Sequence, residues 1–125
     1  MINGQLNLTG RLMSDMDPDL LDFLKYKVNS FIKWDMMRFF HDNPHTADTV
    51  ENIARYAGRS AETLRVVLKE LAQDEVLMVS KVGQMKIYEL SRDPNVRRLL
   101  KMFVEASNDR QFRVKAIYHI VRGNQ

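Results

Sequence analysis

The sequence predicts a mainly helical protein with one small β-hairpin. Three features of residues 46–90 support this prediction. Two segments with helical spacing of apolar residues come first, and a short turn containing Gly58 separates them. Two runs rich in β-branched and aromatic residues, VLMVSKV and MKIYEL, then flank Gly83-Gln84. Helix, glycine-containing turn, helix and hairpin in this order are the sequence outline of a winged helix-turn-helix, here with additional N- and C-terminal helices.

The first helix of the pair is expected to begin at Thr46 or Asp48. Both side chains carry oxygens that accept hydrogen bonds from the free N–H groups of a helix start. Glu51 stands three residues after Asp48, as in a capping box. One face of the helix should be buried, because its apolar residues have helical spacing: Val50, Ile53, Ala54 and Ala57.

The second helix and the hairpin are expected near residues 60–73 and 77–90. Gly58 stands where the first helix needs a residue that tolerates left-handed backbone angles, and Ser60 then caps the second helix. Glycine at the first central position of the loop Gly83-Gln84 suits a type II′ turn. The buried stripe of the second helix is expected to consist of Leu64, Val67, Leu68 and Leu71.

Helical spacing also covers the segment that precedes the pair. Asp17-Pro18 predicts a helix start, because proline at the first position loses no needed hydrogen bond. One long helix fits the apolar spacing, and so do two helices with Ser30 as a fresh cap. The helical region should end before Pro44. Residues 1–16 are expected to form an N-terminal arm that is loose or ordered by a partner, with a short strand as the alternative.

Two more helices are expected after the hairpin. Asp93 and Pro94 fit the cap and first residue of a helix that reaches Ala106, and a last helix should run from Asn108 or Asp109 to near Gly123. The terminal helices carry more apolar positions than one small module covers. We therefore expect a winged domain at residues 17–92 and a dimerisation segment at 93–125, which forms a homodimer through the terminal helices.

Composition limits the classes of protein that fit. The 125 residues suffice for one domain with its own core, and the absence of cysteine excludes disulfides and thiolate metal sites. No apolar run is long enough to cross a bilayer and no secretory pattern begins the chain, so we expect a cytoplasmic protein without membrane association. The net charge is +3, but the basic excess lies in residues 92–125, with eight Lys/Arg against three Asp/Glu.

Patterns typical of enzymes and metal sites are not found in the sequence. His41 and His45 are spaced like metal ligands on a helix, but Pro44 stands between them and no third ligand has suitable spacing. No glycine-rich phosphate loop, nucleophile elbow or pair of catalytic carboxylates is recognisable. We therefore expect neither enzymatic activity nor a cofactor. Trp34 is expected to pack between the winged domain and the terminal helices.

Three stretches together resemble a known class of proteins: KWDMMRFFHDNP, TADTVENIARYAGRSAETLRVVLKELAQDEVL and KIYELSRDP. They are similar to the winged helix-turn-helix regulators of the broad MarR-like and ArsR-like class of prokaryotes. The resemblance covers roughly Phe31 to Pro94. It implies a transcriptional regulator that binds double-stranded DNA, with the second helix of the pair in the major groove and the hairpin as a wing on a neighbouring minor groove or backbone.

The resemblance implies DNA contacts from the outward side of the second helix and from the wing. Arg59 and Ser60 would contact a phosphate, because free N–H groups and the helix dipole favour an anion at a helix N-terminus. Thr63, Arg65 and Val66 would reach base edges, with arginine as a bidentate donor to guanine and the apolar groups against thymine methyls. The remaining contacts are expected from Lys69, Lys81, Gln84 and Lys86.

A second interpretation of the same charges remains open. Arg65 and Lys69 also fit a solvated helix face, with Glu62 as an ion-pair partner that would repel phosphate. The basic residues near the C-terminus fit a solvated face, an extended phosphate-binding surface or a site for an acidic partner. The alternative function is therefore a protein–protein interaction module whose exposed helix and hairpin contact another protein.

Overall fold

A computed structural model describes residues 16–123 of the chain. This part is mainly helical, with six helices and a small antiparallel sheet. None of these helices has the length and apolar character needed to cross a membrane. Apart from Met16, the expected N-terminal arm lies outside the described residues. In chain order the elements are α1 (Pro18–Tyr26), α2 (Phe31–Asp42), β1 (Ala47–Asp48), α3 (Val50–Ala57), α4 (Ala61–Gln73), β2 (Leu77–Val82), β3 (Met85–Leu90), α5 (Pro94–Ala106) and α6 (Arg110–Gly123).

Short polar side chains begin most of the helices at the predicted positions. Asp17 accepts hydrogen bonds from the N–H groups of the first turn of α1, and Asp93 does the same for α5. Ser30 Oγ accepts the backbone N–H of Lys33 at 3.1 Å, so residues 18–42 form two helices rather than one. Asp109 accepts the N–H of Phe112 at the start of α6. Local sequence thus determines these four helix starts.

The predicted start of α3 is wrong. Thr49, rather than Thr46 or Asp48, is the N-cap, and its Oγ1 accepts the backbone N–H of Asn52 at 3.3 Å. Asp48 belongs to β1, and its carboxylate accepts hydrogen bonds from the Thr49 N–H and the Asn52 side chain. Asp48 and Glu51 therefore do not form the expected capping box. Pairing with β3 keeps Asp48 extended, which moves the helix start one residue along the chain.

The sheet contains one strand more than the predicted hairpin. Its order is β1-β3-β2, with antiparallel pairing throughout. β2 and β3 pair Val82 with Met85 across the two-residue loop, and Gly83 has a φ of 63°, the sign that a type II′ turn requires at this position. β1 pairs with the other edge of β3 through Ala47 and Asp48. A strand of two residues is too short for its sequence to show alternation.

The turn between α3 and α4 and the buried face of α4 agree with the sequence prediction. Gly58 has a φ of 68° at the end of α3, and the Arg59 N–H donates back to the Ala54 carbonyl at 2.9 Å. Ser60 caps α4 through a hydrogen bond from the Thr63 N–H. The predicted buried stripe of α4 is confirmed, since Leu64, Val67, Leu68 and Leu71 are all buried. Burial of this stripe turns the opposite side of α4 towards solvent.

The terminal helices pack on their own chain around Phe103 of α5. This fully buried ring lies 6.1 Å from the ring of Phe23 in α1, 5.3 Å from that of Trp34 in α2 and 6.0 Å from that of Phe112 in α6. Trp34 therefore has the expected position beside a terminal helix. Several apolar residues of the terminal helices are buried within this one chain rather than left for a dimer interface: Leu100, Phe103, Phe112, Ala116 and Ile120.

Candidate nucleic-acid interface

All nine residues expected to contact DNA are exposed on α4, on the turn before it, or on the hairpin. The candidate residues on α4 are exposed because they lie opposite its buried stripe, where there is no protein to pack against. The hairpin members extend beyond the core with the outer part of β2 and β3. Five of the nine line two grooves between α4 and the hairpin: Arg65, Lys69, Lys81, Gln84 and Lys86.

The first groove has a volume of about 470 Å³. Arg65 and Lys69 line it from α4, and Gln84 and Lys86 line it from the hairpin. The start of α3 contributes a third side, with Glu51 as the one acidic lining residue. Residues that are far apart in the sequence thus form one surface with an excess of positive charge.

The second groove, of about 390 Å³, is lined by three lysines and by no acidic residue. Lys69 comes from α4, and Lys81 and Lys86 come from the hairpin; we call these three residues the lysine cluster. None of them forms an ion pair with another residue in the range 16–123. The cluster therefore has no protein counter-charge in the described part of the chain.

Two members of the lysine cluster oppose each other directly in the sheet. Lys81 and Lys86 are register partners, so their side chains leave the same face of the hairpin. Like charges at directly opposed positions of an antiparallel pair destabilise the pair. An anion between the two ammonium groups would remove this repulsion.

Both predicted arginines already have carboxylate partners. Arg59 forms an ion pair with Asp35 of α2. Arg65 Nη2 lies 2.9 Å from Glu51 Oε1, so the partner of Arg65 comes from α3 and is not Glu62. A hydrogen bond from a backbone N–H lowers the pKa of Glu51, and the hydrogen bond from Arg65 lowers it further. Glu51 is therefore ionised at neutral pH and competes with any other anion for Arg65.

The other predicted contact residues on α4 do not line either groove. Ser60 Oγ is engaged in capping, and Thr63 and Val66 are exposed along the helix. Sequence reasoning missed Asp35 and Glu51 as partners of the arginines. Local patterns carry no signal for them, because both ion pairs join side chains from different helices.

The histidines of the described residues do not form a metal site. His41 Nδ1 lies 3.2 Å from its neighbour Asp42, and His45 is exposed beyond the end of α2. No group of three His, Asp or Glu side chains within residues 16–123 is arranged to hold a metal ion.

Comparisons of this chain with protein-family models, with curated proteins and with solved structures find no match. Its function is therefore inferred from the geometry and charge of its own residues.

Replacing Lys81 by glutamate would oppose unlike charges in the hairpin. We expect Lys81→Glu to raise the free energy of unfolding by about 0.2–1 kcal/mol at low ionic strength, because a repulsive cross-strand pair becomes attractive. Lys81→Gln should give a smaller gain, since it only removes the repulsion. Urea denaturation at low and high salt measures both effects, and screening should reduce them at high salt. A loss of stability in both variants would show that the repulsion is not significant.

Proposed function

We propose that the protein is a DNA-binding transcriptional regulator of the winged helix-turn-helix type. In this proposal α3 and α4 are the helix-turn-helix, α4 is the recognition helix and the β2–β3 hairpin is the wing. The observation that carries the proposal is the lysine cluster in the groove between α4 and the hairpin. DNA offers a dense row of phosphates, and neutralisation of phosphates by lysine and arginine supplies much of the affinity of such proteins.

The dimensions and exposure of α4 fit a position in the major groove. The helix has 13 residues and is therefore about 20 Å long. Its exposed side presents Thr63, Arg65 and Val66, whose side chains match the hydrogen-bonding and methyl groups on base edges. The N-terminus of α4 at Ser60 offers free N–H groups to a phosphate, as in other anion sites at helix starts. The lysine cluster would then follow the adjacent backbone.

The ion pairs of the arginines are compatible with DNA binding, but they affect how the affinity is divided between Arg65 and the lysine cluster. Glu51 and Arg65 are both exposed, and exposed ion pairs contribute little to stability in water. A bidentate contact from arginine to guanine discriminates by about 1–3 kcal/mol against the wrong base. Loss of the Glu51 contact would therefore cost Arg65 little, and a guanine contact would supply base discrimination. The lysine cluster needs no such exchange, so we assign the larger share of non-specific affinity to its three residues.

A protein-interaction module is the second candidate function, and the hairpin supplies a reason for it. β2 is an edge strand of the sheet, and four large apolar side chains of the hairpin are exposed: Met78, Val79, Val82 and Met85. An exposed edge strand can pair with a strand of another protein. Lys81, near the loop end of β2, disfavours this pairing, because charged side chains on edge strands oppose the addition of further strands.

Fluorescence anisotropy with a mixed-sequence duplex across a salt series tests DNA binding. We expect affinity to fall as salt rises, and Lys86→Gln to lower both the affinity and the steepness of the log–log salt dependence, by about 0.9 for one lost phosphate contact. Lys101→Gln is the matched control, because Lys101 is an exposed lysine of α5 outside the cluster. Glu51→Gln should strengthen binding, since it removes the competitor of Arg65.

No binding at low salt would contradict the proposal for the protein alone. Equal losses from Lys86→Gln and Lys101→Gln would also contradict it, because they would indicate a diffuse charge effect. The interaction module would be the better account if Val82→Ser abolished binding to a protein partner while Lys86→Gln left that binding intact.

We further propose that the regulator is a homodimer that pairs through α6. Three apolar residues form a stripe on the exposed face of α6, away from its buried residues: Val114 at 52%, Ile117 at 44% and Val121 at 45%. A two-fold pair would present two copies of α4 to half-sites about one duplex turn apart. The described α6 has basic residues and no Asp or Glu, so its pairing with a second α6 would bring like charges together.

Sedimentation velocity tests the dimer. We expect a wild-type dimer that Ile117→Ser converts largely to monomer, while Val66→Ser, which alters an exposed residue of α4, has no effect on assembly. Added salt should strengthen the dimer, because it screens the basic residues of the paired helices. The opposite salt response of DNA binding separates the two associations. A wild-type protein that stays monomeric at high concentration would contradict this part of the proposal.

A further inference from the structure

A groove of about 500 Å³ lies among four helices and shares no lining residue with the two grooves beside the hairpin. We call it the four-helix groove. Its volume is within the range of small-molecule sites, about 300–1,000 Å³. The lining residues come from the end of α1, the start of α2 and the residues before it, the C-terminal half of α4 and the end of α6. They are Lys25, Asn29, Ser30, Lys33, Glu70, His119, Ile120 and Gly123.

The feature of this groove that requires explanation is a buried ammonium group. The side chain of Lys33 is only 8% exposed. Its Nζ donates to Asn29 Oδ1 at 3.1 Å and lies 3.2 Å from Glu70 Oε1. An ammonium group carries three N–H donors, so Nζ has the capacity for one hydrogen bond beyond its contacts with Asn29 and Glu70. The groove that Lys33 lines is where a further acceptor for this ammonium group can enter.

The charges that line the groove favour an anion. Lys25 from α1 and Lys33 from α2 are opposed by one carboxylate, that of Glu70 from α4, and the Glu70 side chain is half exposed. His119 from α6 is neutral at pH 7, because burial lowers its pKa and the charge of Lys25 lowers it further. One excess positive charge therefore remains.

We propose that the four-helix groove binds a small organic anion, either a carboxylate or a phosphate ester. Lys25 and the third N–H of Lys33 are its charge partners, and the imidazole of His119 is a hydrogen-bond partner at the other side. The anion and the Glu70 carboxylate would lie beside the same ammonium group and repel each other, so binding weakens the ion pair that ties α4 to α2. If the weakened ion pair changes DNA binding by α4, that consequence rests on the function proposed above. Anion binding itself does not.

The imidazole of His119 gives a local readout in the full-length protein. The chain has three histidines, so His41 and His45 serve as internal controls in the same NMR spectrum. Citrate and inorganic phosphate are titrated as the carboxylate and phosphate probes, with ionic strength held constant by sodium chloride. We expect a saturable shift of the His119 signals alone, with a rise in the His119 pKa, because a nearby anion stabilises the imidazolium form. The probe that binds more tightly identifies the class of anion.

Lys25→Gln should weaken the tighter-binding probe about tenfold, as expected for the loss of one charge-assisted hydrogen bond. Lys25 is exposed, so this change leaves the core intact, and Lys101→Gln on α5 is the matched control with unchanged affinity. The proposal is overturned if neither probe gives a saturable shift, if all three histidines shift alike, or if Lys25→Gln binds as the wild type does. Because no DNA is present, failure here is distinguishable from failure of the DNA-binding proposal.

Discussion

The packing of three aromatic rings against Phe103 determines how the terminal helices meet the rest of the protein. Phe103 is fully buried and contacts Phe23, Trp34 and Phe112, so α1, α2, α5 and α6 share one centre. Truncation of a buried phenylalanine to alanine costs about 3–5 kcal/mol, a large part of the stability of a small protein. α2 contacts α4 as well as α5. Through α2 the aromatic cluster is therefore linked to α4, the helix that carries the proposed DNA-binding surface.

Two features of the fold form the candidate interface, and they have opposite effects on stability. Burial of the α4 stripe turns the polar residues of α4 outward, and the hydrogen-bond register of the hairpin brings Lys81 opposite Lys86. The first feature stabilises the fold, whereas the second places like charges together. Departures from local stability of this kind are expected at functional sites. A bound polyanion would resolve the conflict, since its phosphates supply the counter-charge that residues 16–123 do not give to these lysines.

Local interactions explain which features the sequence predicts well. The caps Asp17, Ser30 and Ser60, the left-handed turn at Gly58 and the two-residue hairpin loop each depend on neighbours within a few residues. The missed features depend on distant contacts. β1 has two residues and acquires its conformation from β3, about 40 residues later in the chain, and this pairing selects Thr49 as the cap of α3. The exposure of the candidate site residues on α4 follows from the apolar stripe of that helix, but the convergence of Lys69 with Lys81 and Lys86 follows from tertiary packing. In the same way, no local pattern distinguishes apolar residues of α5 and α6 that pack on their own chain from residues that stay exposed.

Mapping a bound duplex onto the protein by amide chemical shifts is the most direct test of the central claim. The nitrogen-15-labelled protein is titrated with a mixed-sequence duplex, and the shifts are assigned residue by residue. The account predicts that the largest shifts lie at the start of α4, at Lys69 and in the hairpin from Lys81 to Lys86. Shifts confined to α5 and α6 would contradict it, because they would assign DNA to the basic excess of residues 92–125 and leave the lysine cluster without a polyanion.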